Sequence, residues 1–294
     1  MLSRKGTDLL KDHYRNIENW RVKEQTHERY TQPKVNFVNW TMNRVQWQGD
    51  ETVLDAGCGP GRYFSYFQQN LPDATYIGLD YSTSMVSGHP AQSRLVRGAL
   101  DTIPLPDNTF DVVMANHVLY MLPDIELAIQ ELQRVLKPNG VLVSATNSIT
   151  TMPQFRELFR RSILLVSTPG TSRSIKPPVG LHQRFSLENG SVTLARHFDA
   201  VVRHDMPGAF VFSQVDPIMD YLESSRTTHE PQLPASVTWD QVMVLMREQL
   251  VNLLSSLDKL VVDKLTGVLI ATNGGGFIQE FTRIREEQHK SGQA

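Results

Sequence analysis

Apolar positions change rhythm twice along the chain. Over residues 34–47 (KVNFVNWTMNRVQW), Val35, Val38, Met42 and Val45 recur at helical spacing. The stretch before residue 50 therefore predicts one or two helices, with Pro33 placed to open the second. From residue 51, short and nearly continuous apolar runs alternate with helical stripes. Val53-Leu54-Asp55-Ala56 runs into a glycine-rich turn, and Pro60 is placed for the first turn of the helix that follows. TYIGLD (75–80) ends in an acid, after which Ser82 or Thr83 can cap a short helix. SRLVRGAL (93–100) and FDVVMANHVLYML (110–122) read as a third and a fourth strand, the latter with a sharp exit. Asp124 caps a helix with Ile125, Ile129, Leu132 and Leu136 on one stripe, and Lys137-Pro138-Asn139-Gly140 stops it before a fifth strand, VLVSAT (141–146). Strands and helices alternating at this pace predict an α/β fold with a mostly parallel sheet and helices on both faces.

After residue 150 the pattern loosens. MPQFRELFRRSILL (152–165) is helical, STPGTSRSIKPPVG (167–180) reads as a loop, SLENGSVTLARHF (186–198) as a helix and AVVRHD (200–205) as a sixth strand. Residues 214–263 read as mostly helical. Within them Thr238-x-x-Gln241 is a capping-box signature. It opens a helix with Trp239, Val242, Met246, Leu250, Leu253 and Leu257 on one face. GVLIATNGGGFIQEF (267–281) reads as two strands around a glycine turn. The organisation expected is a helical cap over 1–48, a core over 49–148, a lid over 149–185, the rest of the core sheet over 186–285 with an insertion at about 214–263, and a tail over 286–294.

Composition narrows the function classes. Of 294 residues, 40% are hydrophobic and 20% charged, which suits a globular chain. No apolar run nears the roughly 18 residues that span a bilayer. The first residues turn charged without an apolar stretch, so no secretory signal is visible and a cytoplasmic location is expected. A net charge of −2 gives no basic footprint for nucleic acid. The densest basic cluster, Arg156, Arg160 and Arg161, reads as a solvated helix face. Cys58 is the single cysteine, which excludes an internal disulfide and a multi-cysteine zinc module. No H-x-x-H or paired-acid pattern suggests a metal.

The segment that carries chemistry is Asp55-Ala56-Gly57-Cys58-Gly59-Pro60-Gly61. Glycine at alternate positions lets the backbone turn tightly and a ligand approach the main chain, and N–H groups at a helix start favour an anion. The dinucleotide fingerprint G-x-G-x-x-G fails here, because Arg62 holds the sixth position. The pattern D-x-G-x-G-x-G instead resembles the first motif of class I S-adenosylmethionine-dependent methyltransferases. The resemblance continues through Asp80, Tyr81 and Met85. It extends over Pro104-Leu105-Pro106-Asp107-Asn108-Thr109-Phe110-Asp111, the strand end Ala115-Asn116-His117-Val118-Leu119-Tyr120, and Glu131-Leu132-Gln133-Arg134-Val135-Leu136-Lys137-Pro138-Asn139-Gly140. It covers about residues 50–148 well and is nearest to the ubiquinone- and menaquinone-like group that methylates small molecules.

That resemblance implies a Rossmann-like, seven-stranded sheet with helical N-terminal and inserted lid segments. It implies S-adenosylmethionine as cofactor, leaving as S-adenosylhomocysteine, held by Asp55, Gly57, Gly59, Asp80, Tyr81, Met85 and Asn116. Asp80 would take the ribose hydroxyls, since a carboxylate only accepts. Many relatives carry an acid at the end of the third strand, where this chain has Ala99. The adenine is then left to the backbone of Ala99 and Leu100, or to Asp101.

For the chemical step, His117 follows the fourth strand and is a candidate base for the acceptor, with a packed wall residue as the alternative. Tyr14, Trp20, Tyr120 and His182, with Arg184 beside the last, are candidate acceptor contacts. The substrate region is expected from 1–48, 148–185 and 208–263. The expected function is methyl transfer to a small organic acceptor at O, N or C. The alternative is a non-catalytic module that holds S-adenosylmethionine and acts through partners. The sequence leaves the acceptor and the oligomeric state open.

Overall fold

The computed structural model describes residues 17–167 and 176–274. Tyr14, most of the expected loop over 167–180 and the second strand expected after the glycine turn lie outside them. The described chain falls into two compact units. The first takes residues up to Phe37, Asn147–Arg184 and Asp205–Thr266; the second takes Val38–Thr146, Phe185–His204 and Gly267 onward.

The second unit is the α/β core. Its strands are β2 (Thr52–Ala56), β3 (Thr75–Asp80), β4 (Leu95–Arg97), β5 (Phe110–Met114) and most of β6 (Leu136–Asn147). The opening residues of β7 (Ala200–Phe212) and the last of β8 (Leu260–Thr272) complete it. The order is β7-β8-β6-β5-β2-β3-β4. The pairs β6–β5, β5–β2, β2–β3 and β3–β4 are parallel. Both faces of the central strands are buried, so they read as unbroken apolar runs instead of alternating. On one face Val53, Val112, Met114, Val143, Val268 and Ile270 pack with Met42 of α2 (Phe37–Met42) and with Phe64 and Phe67 of α3 (Phe64–Asn70). Leu54, Val113 and Leu142, which alternate with these, are equally buried. α5 (Ile125–Val135) buries Ala128, Ile129, Leu132 and Val135, with Asp124 accepting from Leu127 N at 3.0 Å as its cap. α7 (Leu187–Leu194) opens on a capping box at Ser186.

Local geometry departs from the sequence reading at several points. α5 ends at Val135, and Leu136 already belongs to β6. Residues 137–140 do not close the helix but loop out of the strand, because Leu136 pairs with Phe110 and Val141 with Val112. Lys137 Nζ bonds Asp111 Oδ1 at 2.7 Å across that irregularity. A Cβ on Gly140 would lie 3.0 Å from Lys137 O and 2.7 Å from the Leu136 side chain, so the return is tight for any larger residue. Pro60 sits in the turn, and α3 begins only at Phe64, since the glycine loop consumes more chain than a direct strand-to-helix step. Pro33 likewise opens no helix. It follows β1 (Thr31–Gln32) through a cis peptide bond, and α2 starts at Phe37.

The first unit is mainly helical. It holds α1 (Ile17–Tyr30), α6 (Pro153–Val166), α8 (Asp216–Glu223), α9 (Arg226–His229) and α10 (Trp239–Ser256). It also holds β1, which pairs antiparallel with the later part of β7, and the start of β8. β1 is the eighth strand, two residues long, beside the seven expected. β7 runs well past the expected 205, and residues 260–263 are strand, not helix, because β8 starts at Leu260. Its core joins Phe155, Phe159, Phe210, Phe212, Trp239 and Met246. Gln249 Nε2 bonds Ser162 Oγ at 2.7 Å between α10 and α6. The capping box at Thr238 is present, and Trp239, Val242, Met246 and Leu250 of the expected stripe are buried. Leu257 is the C-cap and is exposed, so the stripe stops short of it. Arg160 and Arg161 both pair with Glu157, at 2.7 and 2.8 Å, on the solvated face of α6. Among the described residues no helix is long and apolar enough to cross a membrane.

Candidate functional site

The site grows from the end of β2. After Ala56 the chain turns through Gly57 (φ 80°), Gly59 (φ 51°) and Gly61 (φ 88°), all in the left-handed region that side chains disfavour. Gly57 N and Cys58 N both donate to Leu79 O, at 2.7 and 3.1 Å, which fastens the loop to the end of β3. There is a packing reason for Gly57 as well, since a Cβ would lie 2.7 Å from Val118. Over Gly59 the space is open apart from Met85 Cε at 3.6 Å. The Cys58 side chain turns the other way, onto Gly78, and burial pushes its thiol up, so it is a small packing residue and not a nucleophile.

Asp80 ends β3 with both carboxylate oxygens engaged by main chain. Gly59 N donates to Oδ2 at 2.9 Å and Ser82 N to Oδ1 at 2.7 Å. Burial raises its pKa, and the N–H groups of Ser82, Gly59 and Tyr81 oppose that rise. Met85 is buried in α4 (Thr83–Val86), which Ser82 caps, while Tyr81 is exposed. Gly98 N donates to Asp80 O at 3.2 Å, bringing the turn that holds Ala99 and buried Leu100 to the same strand end.

Asp55 is buried beneath the loop. Desolvation lifts its pKa to about 7, against the lowering hydrogen bond from Tyr76. Tyr76 OH donates to Asp55 Oδ2 at 2.8 Å, and His89 Nε2 lies 3.3 Å from the same hydroxyl. Ala91 N donates to His89 Nδ1 at 3.0 Å, so a neutral His89 carries its proton on Nε2 and gives it to the Tyr76 oxygen. The His89 ring also packs directly on Gly61, where a Cβ would meet it at 2.9 Å. Tyr76 and His89 thus support the glycine loop from below, a role that no local pattern in the sequence signals.

At the end of β5, Asn116 Oδ1 accepts from Ala145 N at 2.9 Å, and its Nδ2 is buried with no partner among the described residues. His117 follows at φ 55°, its N–H bonded to Ala145 O, with its ring 6.5 Å from that of Tyr120. Asp55, Gly57, Gly59, Asp80, Met85, Ala99, Leu100, Asn116 and His117 are therefore gathered at one end of the parallel strands, where open α/β sheets bind ligands. A second missed pair holds the neighbouring loop. Glu131 accepts from Ile103 N at 2.8 Å, and Arg134 donates to Ile103 O and Leu105 O, both at 2.9 Å. Trp20 and His182 belong to the first unit. Among the described residues, no group of three or more His, Cys, Asp or Glu could hold a metal ion.

Residues 54–144, from the middle of β2 into β6, match the family described as a methyltransferase domain. Residues 54–144 are a methyltransferase domain. Relatives of the methyltransferase domain include a malonyl-[acyl-carrier protein] O-methyltransferase of Enterobacter lignolyticus, 31% identical over 158 residues, which are 51% of this chain and 61% of that protein. A demethylmenaquinone methyltransferase of a Geobacillus species is 32% identical over 128 residues, 40% of this chain and 55% of its own. The chain thus spans little more than half the length of these curated relatives. Among solved structures, phosphoethanolamine N-methyltransferase 2 of Haemonchus contortus, bound to phosphomonomethylethanolamine and S-adenosylhomocysteine, superposes with a TM-score of 0.54 at 14% identity. That match covers 92% of this chain and 60% of the other, and shows that the methyltransferase fold is shared.

Proposed function

We propose that this protein moves the methyl group of S-adenosylmethionine to a small organic acceptor. The observation that carries the reading is the strand-end constellation within the methyltransferase domain, in which a glycine turn presents main chain beside the half-buried carboxylate of Asp80. The residues present suit that cofactor. Open space over Gly59 admits a ligand to the backbone. Asp80 offers acceptor oxygens to a pair of hydroxyls. The buried Asn116 Nδ2, without a partner among the described residues, is a donor at the same end of the sheet. Asp55, Gly57, Gly59, Asp80, Tyr81, Met85, Ala99, Leu100 and Asn116 would hold the cofactor.

When bound, the sulfonium supplies both an activated methyl group and its own leaving group. What remains for the chain is to position the acceptor, exclude water and handle at most one proton. His117 would handle that proton; its backbone is left-handed, and its ring lies 6.5 Å from that of Tyr120. A hydroxyl or amine acceptor needs such a base, whereas a carboxylate does not.

Calorimetric titration with S-adenosylmethionine, S-adenosylhomocysteine and NADH tests the reading. Both adenosyl ligands bind and NADH does not. Asp80→Ala weakens adenosyl binding at least tenfold, about 1.4 kcal/mol. Folded protein that binds no adenosyl ligand would end the methyl-transfer reading and leave the fold untouched.

A further inference from the structure

Asp55 and Asp80 stand near the ends of paired strands, but they are provided for unequally. Both oxygens of Asp80 take main-chain N–H bonds. Asp55 is 2% exposed, and only its Oδ2 is engaged, by the Tyr76 hydroxyl at 2.8 Å. Among the described residues its Oδ1 takes no hydrogen bond and the carboxylate has no ion pair. The titratable groups around it bring no positive charge. They are Tyr76 and Asp80 of β3, His89 after α4, and Cys58 of the glycine loop. The flanking strands add only Gly78 and Met114 in register. Two acids gathered out of water without a cation are costly unless one takes a proton or a positive ligand joins them.

The hydrogen bonds decide how Asp55 can respond. A main-chain N–H can only donate, so Ala91 N, 3.0 Å from His89 Nδ1, makes that nitrogen an acceptor and leaves a neutral ring with its proton on Nε2. Nε2 donates to the Tyr76 oxygen at 3.3 Å, and the phenol in turn donates to Asp55 Oδ2. Packing holds the imidazole in place, with the Phe64 and Tyr76 rings 5.7 and 6.0 Å from it and Gly61 directly against it. Three donors thus run in one direction and end on the carboxylate. Oδ2 is an acceptor whatever the charge on Asp55, so a proton on this residue sits on Oδ1. There the side chain is either an O–H or a bare carboxylate oxygen, and only the latter accepts from a cation.

We propose that Tyr76 and His89 act through Asp55 as positioning residues for a positive group of the adenosyl cofactor, so that binding displaces one proton from Asp55 Oδ1 to solvent. The identity of the ligand rests on the methyl-transfer reading. In this step the Oδ1–H bond breaks, the carboxylate keeps the electron pair and accepts from the cation, and the proton goes to the buffer. The cofactor offers two positive groups, the ammonium of its amino-acid part and the sulfonium, and S-adenosylhomocysteine keeps only the first. Burial, which holds the Asp55 pKa at about 7, puts the exchange in the neutral range. Such a group is largely protonated at pH 6 and mostly ionised at pH 7.5, so affinity for a cation rises with pH between them.

Calorimetry of the full chain in two buffers of different ionisation enthalpy counts the protons released on binding. S-Adenosylmethionine releases about one proton at pH 6 and about a quarter of one at pH 7.5, and binds roughly eightfold more tightly at the higher pH. 5′-Methylthioadenosine, which keeps the base and ribose but has neither positive group, releases none and binds equally at both. S-Adenosylhomocysteine shows which group is paired: release like that of S-adenosylmethionine assigns the ammonium, and no release assigns the sulfonium. Tyr76→Phe removes the donor on Oδ2, so release at pH 7.5 rises toward one proton and affinity there falls. A purely structural role would lower affinity at both pH values and leave the proton count as in wild type. If Tyr76→Phe does not fold, His89→Leu, which removes the donor to the phenol, is read the same way. S-Adenosylmethionine binding without proton release, equal release with 5′-methylthioadenosine, or a proton count unmoved by Tyr76→Phe overturns the proposal and leaves the methyl-transfer reading standing. No binding of any adenosyl ligand at either pH ends both.

Discussion

Tyr76 stands between two buried partners, giving its proton to Asp55 and accepting one from His89. Asp55 keeps a pKa of about 7 against an ordinary 3.8 because burial penalises its charge. The folded chain therefore holds a proton that the unfolded chain releases between about pH 4 and 7. The contribution of this group to stability is full below pH 4 and is lost as pH rises through 7. Tyr76→Phe removes the hydrogen bond that lowers the Asp55 pKa. The window should then extend to higher pH, and stability at pH 8 should fall by about 1–3 kcal/mol. Urea unfolding from pH 5 to 9 checks both, and an unchanged midpoint would mean that the hydroxyl does not support Asp55. At His117 the backbone decides which variant is informative. Asn tolerates a left-handed φ where Ala is strained, so His117→Asn separates chemistry from folding. With a hydroxyl acceptor, kcat falls roughly 10²–10⁴-fold at little change in KM. The glycines and Asp80 were legible because their chemistry repeats at fixed spacing. Tyr76 and His89 were not. Tyr76 faces the Asp55 side only through the parallel register that pairs it with Val53, and register is a tertiary fact.

Elements were read well where a local device specifies them. The capping boxes at Ser186 and Thr238 and the cap at Asp124 all mark helix starts. Removing one, as in Thr238→Ala, should cost about 1 kcal/mol by thermal or urea denaturation. Pro33 and Pro60 misled because a fixed φ suits turns as well as helix starts, whereas Pro153 does open α6. α5 illustrates what pattern cannot supply. Its apolar stripe was visible, but its polar edge is a clamp in which Glu131 and Arg134 secure both sides of the backbone between Ile103 and Leu105. Arg134→Lys keeps the charge and loses the fork. It should cost about 2 kcal/mol and speed amide exchange at Ile103; protection equal to wild type would assign that loop another anchor.

At the scale of the whole molecule, the core sheet was legible through its alternating elements and its resemblance, and the segments expected to share a region, 1–48, 148–185 and 208–263, largely coincide with those of the helical unit, whereas the pairing of side chains within it was not legible. Residues near Phe155, Phe210 and Trp239 share one core, although nothing local ties those stretches together. β7 and β8 each supply residues to both units, so neither unit owns a complete set of strands. Denaturation followed separately at Trp47 in the second unit and at Trp239 in the first should therefore give coincident transitions. Two separate midpoints would show independent folding.

The division of the chain also bears on how such a protein diversifies. The family match at 54–144 lies wholly inside the second unit. Asn147–Arg184 and Asp205–Thr266 are excursions that leave that unit and return to it, and the segment up to Phe37 precedes it. Drift, lengthening or exchange within those excursions leaves the glycine loop and its supports untouched. A lineage can therefore inherit the matched domain intact while rewriting those segments. For an engineer, the same boundaries mark where a graft should begin and end.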